Sequence, residues 1–374
     1  MKKKLTVGVI FGGRSGEHEV SLVSAASILK NLNKLKYDVI PIGITKQGRW
    51  LTQQSPLNLL KRGNIKSLKS LSLITPDTSQ GGLVRIRHSA KLPGLKKIDV
   101  ILPILHGTYG EDGAIQGLFE LANIPYVGAG ILGSALGMDK ISQKYIFRQY
   151  QLPIVKFVNF NYSEYRTNAA KVLNLISKIK FPVFVKPSNL GSSVGINKAL
   201  NKKQLISTIR EAGQYDERII VEQGIVSPRE IEVAILGNET PRASVCGEII
   251  TSNSFYDYDA KYIDGKSRAV IPARLNHRTA DRIKKIAIRA FQVLNCFGMA
   301  RVDFLLDQKN TIYLSEVNTI PGFTSISMYP KLWEYSGLPY SELLDQLIKL
   351  ALEKHRQKSK LLTSYQPKSK WFNN

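Results

Sequence analysis

The chain has 374 residues, 43% hydrophobic and 22% charged, with a mean hydropathy of −0.13. That is a globular composition with room for two or three domains, and no apolar run approaches the roughly 18 residues of a membrane helix. A net charge of +24 invites a nucleic-acid partner, but Lys and Arg are scattered along the chain and no recognition-helix, RRM or zinc-finger pattern occurs; a polyanionic small ligand fits better.

Residues 5–11, LTVGVIF, read as a buried parallel strand rather than a secretion signal, because Arg14, Glu17, His18 and Glu19 follow at once. A helix over about 19–32, a strand over 37–44 and another over 98–105 continue a strand–helix alternation that predicts a doubly wound α/β domain. Residues 51–97 mix weak strand and loop signals and read as an elaboration. After HGTYGEDG comes a helix near 113–123, then a helix with polar breaks from Ser134 to about Tyr150. A strand in LPIVKFVNF, a helix near 163–179, strand FPVFVKP, the turn SNLGSSVGI and a helix from Lys202 predict an α+β middle region. Strands RIIVEQ, REIEVAIL and ASVCGEII, an irregular 252–270, a helix 278–294 and a closing helix with Leu343, Leu347 and Leu350 on one face complete the reading. Cys246 and Cys296 sit in apolar contexts and suit core residues in a reducing cytoplasm.

Two glycine motifs mislead. Gly128-Ala-Gly130-Ile-Leu-Gly133 matches the dinucleotide fingerprint, yet no Asp or Glu lies between Asp139 and Glu164 to take a ribose, so a tight turn is the better reading. Gly191-Ser-Ser193-Val-Gly195 matches a nucleophile elbow, but extended residues follow it, not a helix. A Ser193–Asp264–His277 triad has the right chain order and no other support. Gly and Ser between two strands instead make a donor-rich loop able to wrap phosphate oxygens. Lys140, Lys186 and Lys261 lie at loop or strand ends, as cations of a triphosphate site outside the P-loop class would.

Within 298–330, ARVDFLL and TIYLSEV flank the turn DQKN and predict a hairpin. Glu316 and Asn318 share a face, as do Arg301 and Asp303. Two carboxylates and an amide oxygen form a hard set suited to Mg²⁺ or Mn²⁺. A solvated polar face with an ordinary Arg–Asp pair is the alternative, and the hairpin alone does not decide between them.

FPVFVKPSNLGSSVG, VEQ, REIEVAILG, ARVDF and LSEVNTIPGF together resemble the ATP-grasp superfamily. GGRSGEHEVSLVS, HGTYGEDG, MDK, FYDYDAKY and PGFTSISMYP narrow the resemblance to the D-alanine–D-alanine ligases. It runs from Gly12 to beyond Pro330, leaving out 51–97 and the basic tail. It implies three domains: an N-terminal α/β domain (1–138) and two α+β ATP-grasp subdomains (139–235 and 236–360) clasping ATP, with a tail at 361–374. The implied reaction phosphorylates one D-alanine from ATP, and the amine of a second attacks the acylphosphate. Carried over by motif, Asp303, Glu316 and Asn318 hold two Mg²⁺ or Mn²⁺ ions, and Arg301 with the Gly322 N–H forms the oxyanion site. Glu17 takes the first ammonium with His106 beside it, and Ser192 and Tyr262 link to Glu17. Ser327 and Met328 receive the second carboxylate. Lys140, Lys186, Ser193 and Lys261 serve ATP phosphates, Glu222 and Glu230 the adenine and ribose. FYDYDAKY would be a lid over the site, and its tyrosine favours a dipeptide over a D-lactate ester. The resemblance implies a cytoplasmic homodimer with D-alanine and ATP as partners and neither nucleic acid nor membrane. A nucleic-acid binder and an ATP-grasp ligase using another amine or hydroxyl remain the competing readings.

Overall fold

A computed structural model describes residues 3–52, 55–62, 70–74, 82–87, 96–250 and 268–364. The expected lid, with Lys261, Tyr262 and Asp264, lies outside them. The first sheet contains β1 (Leu5–Gly12), β2 (Tyr37–Ile44), β3 (Trp50–Leu51) and, further along the chain, β7 (Val100–Ile104), in the order β3-β2-β1-β7. β1 runs parallel to β2 and β7. Val7, Val9, Ile10 and Phe11 are fully buried, which is why β1 reads as an unbroken apolar run. The short β3 departs from an all-parallel sheet: it folds back antiparallel on β2 because the Thr45 hydroxyl accepts the Gln47 and Arg49 N–H groups and closes a tight turn. Helix α1 (His18–Asn31) packs on β1, and α2 (Pro56–Lys61) on β2. β4 (Ser70–Ile74), β5 (Gly82–Arg87) and β6 (Lys96–Lys97) form a small antiparallel sheet within the segment read as an elaboration.

After α3 (Ala114–Leu121), the helix expected over 134–150 is two: α4 (Ile131–Met138) and α5 (Lys140–Gln149). Asp139 divides them. Its backbone is extended and its carboxylate accepts the Ser142 N–H at 2.7 Å, capping α5. The glycines of 128–133 belong to this junction: a Cβ on Gly133 would stand 2.6 Å from the Asn295 carbonyl oxygen.

The middle sheet, antiparallel throughout, has the order β10-β9-β11-β8, with β8 (Phe157–Asn161), β9 (Val183–Pro187), β10 (Asn197–Ala199) and β11 (Arg218–Gln223). The strand expected across 152–160 begins at Phe157; Pro153, which has no N–H, instead accepts the Leu314 N–H at 2.6 Å. The helix expected over 163–179 is α6 (Tyr162–Thr167) and α7 (Ala169–Ile176), interrupted where Asn168 caps α7. With α8 (Lys202–Ala212), they cover an apolar core around Val172, Val185 and Ile209.

The last sheet, also antiparallel, has the order β14-β13-β12-β15-β16: β12 (Arg229–Gly237), β13 (Arg242–Ile250), β14 (Arg268–Val270), β15 (Gly298–Leu306) and β16 (Ile312–Asn318). Helix α9 (His277–Val293) packs on it through Ile283, Ala287 and Phe291. Helices α10 (Met328–Tyr335) and α11 (Tyr340–Lys358) join a second core with the first sheet, in which Leu343 and Leu347 are fully buried and Leu350 partly. Cys246 and Cys296 are buried and unpaired. Among the described residues no helix is long and apolar enough to cross a membrane.

Candidate active site

The β15–β16 hairpin sets the centre of the site. Arg301 stands opposite Asn318, and Asp303 opposite Glu316. Simple alternation would turn Leu314 to the same side as Glu316. A bulge at Ser315 breaks the register, so Phe304 pairs with Leu314, which is fully buried, while Glu316 lines the cleft. The bulge has a second consequence. Its carbonyls, Leu314 O and Ser315 O, accept the Lys144 ammonium at 3.2 and 2.9 Å.

Two cavities, of about 310 and 430 Å³, share Ser193, Ile196, Glu232, Arg301 and Glu316 in their walls. Glu17, His106, Lys140, Ser192, Gly322 and Ser327 line the first. Lys186, Glu222, Glu230 and Asp303 line the second. All fifteen predicted site residues that fall among the described residues lie on these walls; a shared wall is the geometry a group transferred from one ligand to another requires.

Arg301 is clamped at that wall. Its Nε donates to Asp303 Oδ1 at 2.8 Å and an Nη to Oδ2 at 2.7 Å, and Nε lies 3.2 Å from Glu232 Oε2. Burial alone would lower its pKa, but Asp303, Glu232 and Glu316 hold it well above the ordinary value, so it stays a cation. Glu232 escaped the sequence reading. The signal was present, since it stands two residues from Glu230 on the same strand and so on the same face. Asn318 donates to Asp303 Oδ2 at 2.9 Å. Among the described residues no three His, Cys, Asp or Glu side chains gather as a metal cage. Two carboxylates and one amide oxygen on facing strands do offer the hard donors a divalent cation accompanying phosphate takes.

Glu222 is buried between two lysines, at 3.0 Å from Lys144 Nζ and 2.5 Å from Lys186 Nζ. It was expected at the adenine amine, yet its carboxylate is engaged by these ammoniums. Burial would raise its pKa, but the lysines overcome that and hold it down to about 2. Lys144 went unread because a lone lysine in a helix carries no signal of its carbonyl partners, 170 residues away.

The loop between β9 and β10 reaches the other cavity. Ser192 and Ser193 both adopt left-handed backbone, φ 50° and 60°. The Ser192 hydroxyl donates to Glu17 Oε1. Glu17, the N-cap residue of α1, makes no side-chain cap to that helix. It is walled by glycines: a Cβ on Gly107 or Gly191 would come within 2.6 or 2.5 Å of Glu17 Oε2. Lys140 Nζ donates to Leu190 O at 2.5 Å, tying α5 to the same loop. The hydrolase triad finds no support among the described residues: His277 sits exposed on α9, with Nδ1 3.0 Å from Asp281 Oδ2.

The segment after β16 closes the first cavity. A Cβ on Gly322 would stand 2.8 Å from Ser327 Oγ, which itself accepts the Thr324 N–H at 3.0 Å. The Met328 side chain packs into the core against Gly247, so its backbone N–H, at the start of α10, is what it can offer a ligand. His106 is buried, with Nδ1 3.0 Å from Ile320 O and Nε2 3.1 Å from Ser24 Oγ. Burial lowers its pKa.

Glu111 was also missed. It accepts the Gly107 N–H at 2.8 Å and the Ile320 N–H at 2.9 Å, bridging loops 209 residues apart. Burial, with Glu17 adding to it, pushes its carboxyl up from 4.5 to about 8. The native state therefore keeps a proton that the unfolded chain releases, and stability falls as pH rises through that window. Glu111→Gln is expected to flatten the fall in urea midpoint between pH 5 and pH 8; equal slopes for the two proteins would refute the shift.

Two family descriptions match the chain: "D-ala D-ala ligase N-terminus" over residues 6–129 and "D-ala D-ala ligase C-terminus" over 146–349. A protein named D-alanine--D-alanine ligase from Natranaerobius thermophilus is 48% identical over 366 residues, 97% of this chain and 99% of that one. Another of that name from Caldicellulosiruptor bescii is 48% identical, covering 96% and 98%. Among solved structures, the VanG D-Ala:D-Ser ligase from Enterococcus faecalis superposes with a TM-score of 0.83 at 36% identity, over 93% of this chain and 100% of the other. The D-alanine-D-alanine ligase from Coxiella burnetii gives 0.81 at 37%, over 96% of each.

Proposed function

We propose that this chain, which belongs to the D-alanine–D-alanine ligase family, joins two D-alanines to D-alanyl-D-alanine for the peptidoglycan precursor, splitting ATP to ADP and phosphate. The observation that carries the reading is Arg301 fixed in the wall shared by two cavities, one lined by Glu17, Gly322 and Ser327 and the other by Lys186, Glu222 and Glu230. A carboxylate is a poor electrophile with no leaving group. Its oxygen therefore first attacks the γ-phosphate, ADP departs, and the second amine attacks the acyl carbon. Phosphate then leaves that carbon and the amine loses a proton.

This chain's residues divide that work. Glu17, held by Ser192, takes the ammonium of the first D-alanine. Arg301 and the Gly322 N–H meet the charge that develops on its carboxyl oxygen, where preorganised donors contribute most. Lys140 and Lys186 hold phosphate oxygens beside the Ser192–Ser193 loop, with Lys261 joining them, and Glu230 takes the ribose. Glu222 serves chiefly to hold Lys186, with the adenine amine as a further contact. The Met328 N–H and the Ser327 hydroxyl receive the second carboxylate, and Tyr262 is a second partner for Glu17 beside Ser192. Asp303, Glu316 and Asn318 would hold two Mg²⁺ or Mn²⁺ ions; such ions neutralise phosphate charge and polarise the transferred group. The divisions at 138/139 and 235/236, with a tail from 361, go with this reading, as does a cytoplasmic enzyme. The exposed Leu121, Ile131 and Leu132 on α3 and α4 give a homodimer an apolar face to cover.

Likeness to a D-Ala:D-Ser ligase favours D-serine as the second reading for the acceptor. Phosphate release is expected to require ATP, D-alanine and a divalent cation together, and to exceed that with D-serine or D-lactate as second substrate. No phosphate above background with D-alanine would sink the reading, and faster turnover with D-serine would replace it.

A further inference from the structure

Helix α1 turns two serines, Ser21 and Ser24, into the interior, where both are fully buried. A buried serine within a helix commonly bonds back to the carbonyl four residues earlier. These two bond across the fold instead. Ser21 Oγ accepts the Gly12 N–H at 2.7 Å and donates to Ile104 O, tying the ends of β1 and β7. Ser24 Oγ lies 3.1 Å from His106 Nε2 and accepts the Phe323 N–H at 3.3 Å.

The directions of these bonds follow from the groups. Ile320 O can only accept, so His106 Nδ1 carries the hydrogen and donates to it. In a neutral ring Nε2 is then the acceptor, and the Ser24 hydroxyl donates to it. With its hydrogen committed, Ser24 Oγ takes the Phe323 N–H on a lone pair. The chain of bonds therefore runs from Phe323 N–H through Ser24 and His106 to Ile320 O. It leaves and rejoins one short segment, Ile320-Pro321-Gly322-Phe323, gripping it at both ends. Pro321 has no N–H, and the segment's other anchors, the Ile320 N–H on Glu111 at 2.9 Å and the Tyr340 hydroxyl on Phe323 O at 2.8 Å, also lie at its ends. Gly322 lies inside the grip.

We propose that Ser24 is a positioning residue for ligation: through His106 and the Phe323 N–H it holds the 320–323 segment so that Gly322 aims its own N–H at the reacting carboxyl. This rests on the reading of Gly322 as an oxyanion donor. It also gives His106 a definite task, which is to hold the turn from behind. Burial of the imidazole keeps the ring neutral, as the direction of the bonds needs. Ser24 touches no substrate, so its removal should act on the chemical step more than on first-site binding, because small misplacement of a donor is costly in rate.

The test has two arms. In the parent enzyme, labelled with ¹⁵N-histidine and with the His106 signals assigned by their loss in His106→Gln, the ring should be the neutral tautomer protonated at Nδ1. Protonation at Nε2 in that neutral ring would overturn the proposal whether or not any variant folds. In the second arm, Ser24→Ala should lower kcat by about tenfold or more, leave the KM of the first D-alanine within about threefold, and shift the His106 Nε2 resonance, while Ser24→Thr restores part of kcat. A folded Ser24→Ala with kcat within about twofold of the parent, or with kcat lost only in proportion to the folded fraction, overturns it. A parent enzyme that releases no phosphate with D-alanine would count against the ligase reading alone, since the tautomer is read without turnover.

Discussion

Arg301→Ala is expected to lower kcat by about 10²- to 10³-fold, the range for removing one preorganised oxyanion donor. The side chain is fixed before substrate arrives: three acceptor oxygens, two of Asp303 and one of Glu232, hold its guanidinium. A donor that needs no reorganisation is worth most at the moment charge develops. Lysine should recover little, because a single ammonium cannot reproduce two parallel bonds to Asp303. First-site D-alanine binding should change less than kcat, since on the proposed reading Glu17 takes the other end of that substrate. The variant should also be less stable without metal, by up to about 3–5 kcal/mol, because Asp303, Glu232 and Glu316 would then face one another without their cation. Phosphate-release kinetics beside urea unfolding would separate the two effects. Equal losses in kcat and in first-site affinity would make Arg301 an ordinary substrate anchor.

Glu222→Ala should act on stability first. The residue sits between Lys144 and Lys186, both largely buried, and removing it leaves two ammoniums without their shared anion. Breaking such a buried arrangement from one side costs about 3–5 kcal/mol. Glutamine keeps the shape but not the charge and should recover a minor part. The pH dependence identifies the mechanism. Because the folded pKa is held down to about 2, against 4.5 unperturbed, the stabilisation is complete above pH 4.5 and is lost as pH falls through about 2. The difference between parent and variant in urea midpoint should therefore be full at pH 7 and shrink toward pH 2. A constant difference would point to lost packing instead. The KM for ATP should rise in the same variant, since Lys186 loses what holds it in place.

The residues found by reading alone share a property. Asp303, Glu316 and Asn318 announce themselves because charged groups interrupt apolar strands, and burying them without partners is costly. Ser192 and Ser193 stand in a glycine- and serine-rich turn between two strands, whose donors are legible from composition although its left-handed backbone, which falls on the serines themselves, is not. The residues that were missed have no such local mark. Lys144 looks like any helical lysine until the Ser315 bulge supplies its carbonyls. Glu111 looks like part of an acidic turn until Ile320, 209 residues on, donates to it. Ser24 reads as one more small residue on α1.

What the sequence by itself determined was the alternation of elements, the hairpin and its acids, the donor-rich loop and, through ordered motifs, the family. These are short-range quantities: strand periodicity, turn chemistry and spacing are set by neighbours along the chain. The tertiary structure decided the register that turns Leu314 inward and Glu316 outward, the sharing of Arg301 between two carboxylates, and the anchoring of Gly322 by α1. Those depend on which carbonyls and N–H groups meet after distant segments pack. A polar group's partner is chosen by the whole fold, because in the interior every donor must find an acceptor wherever the chain places one.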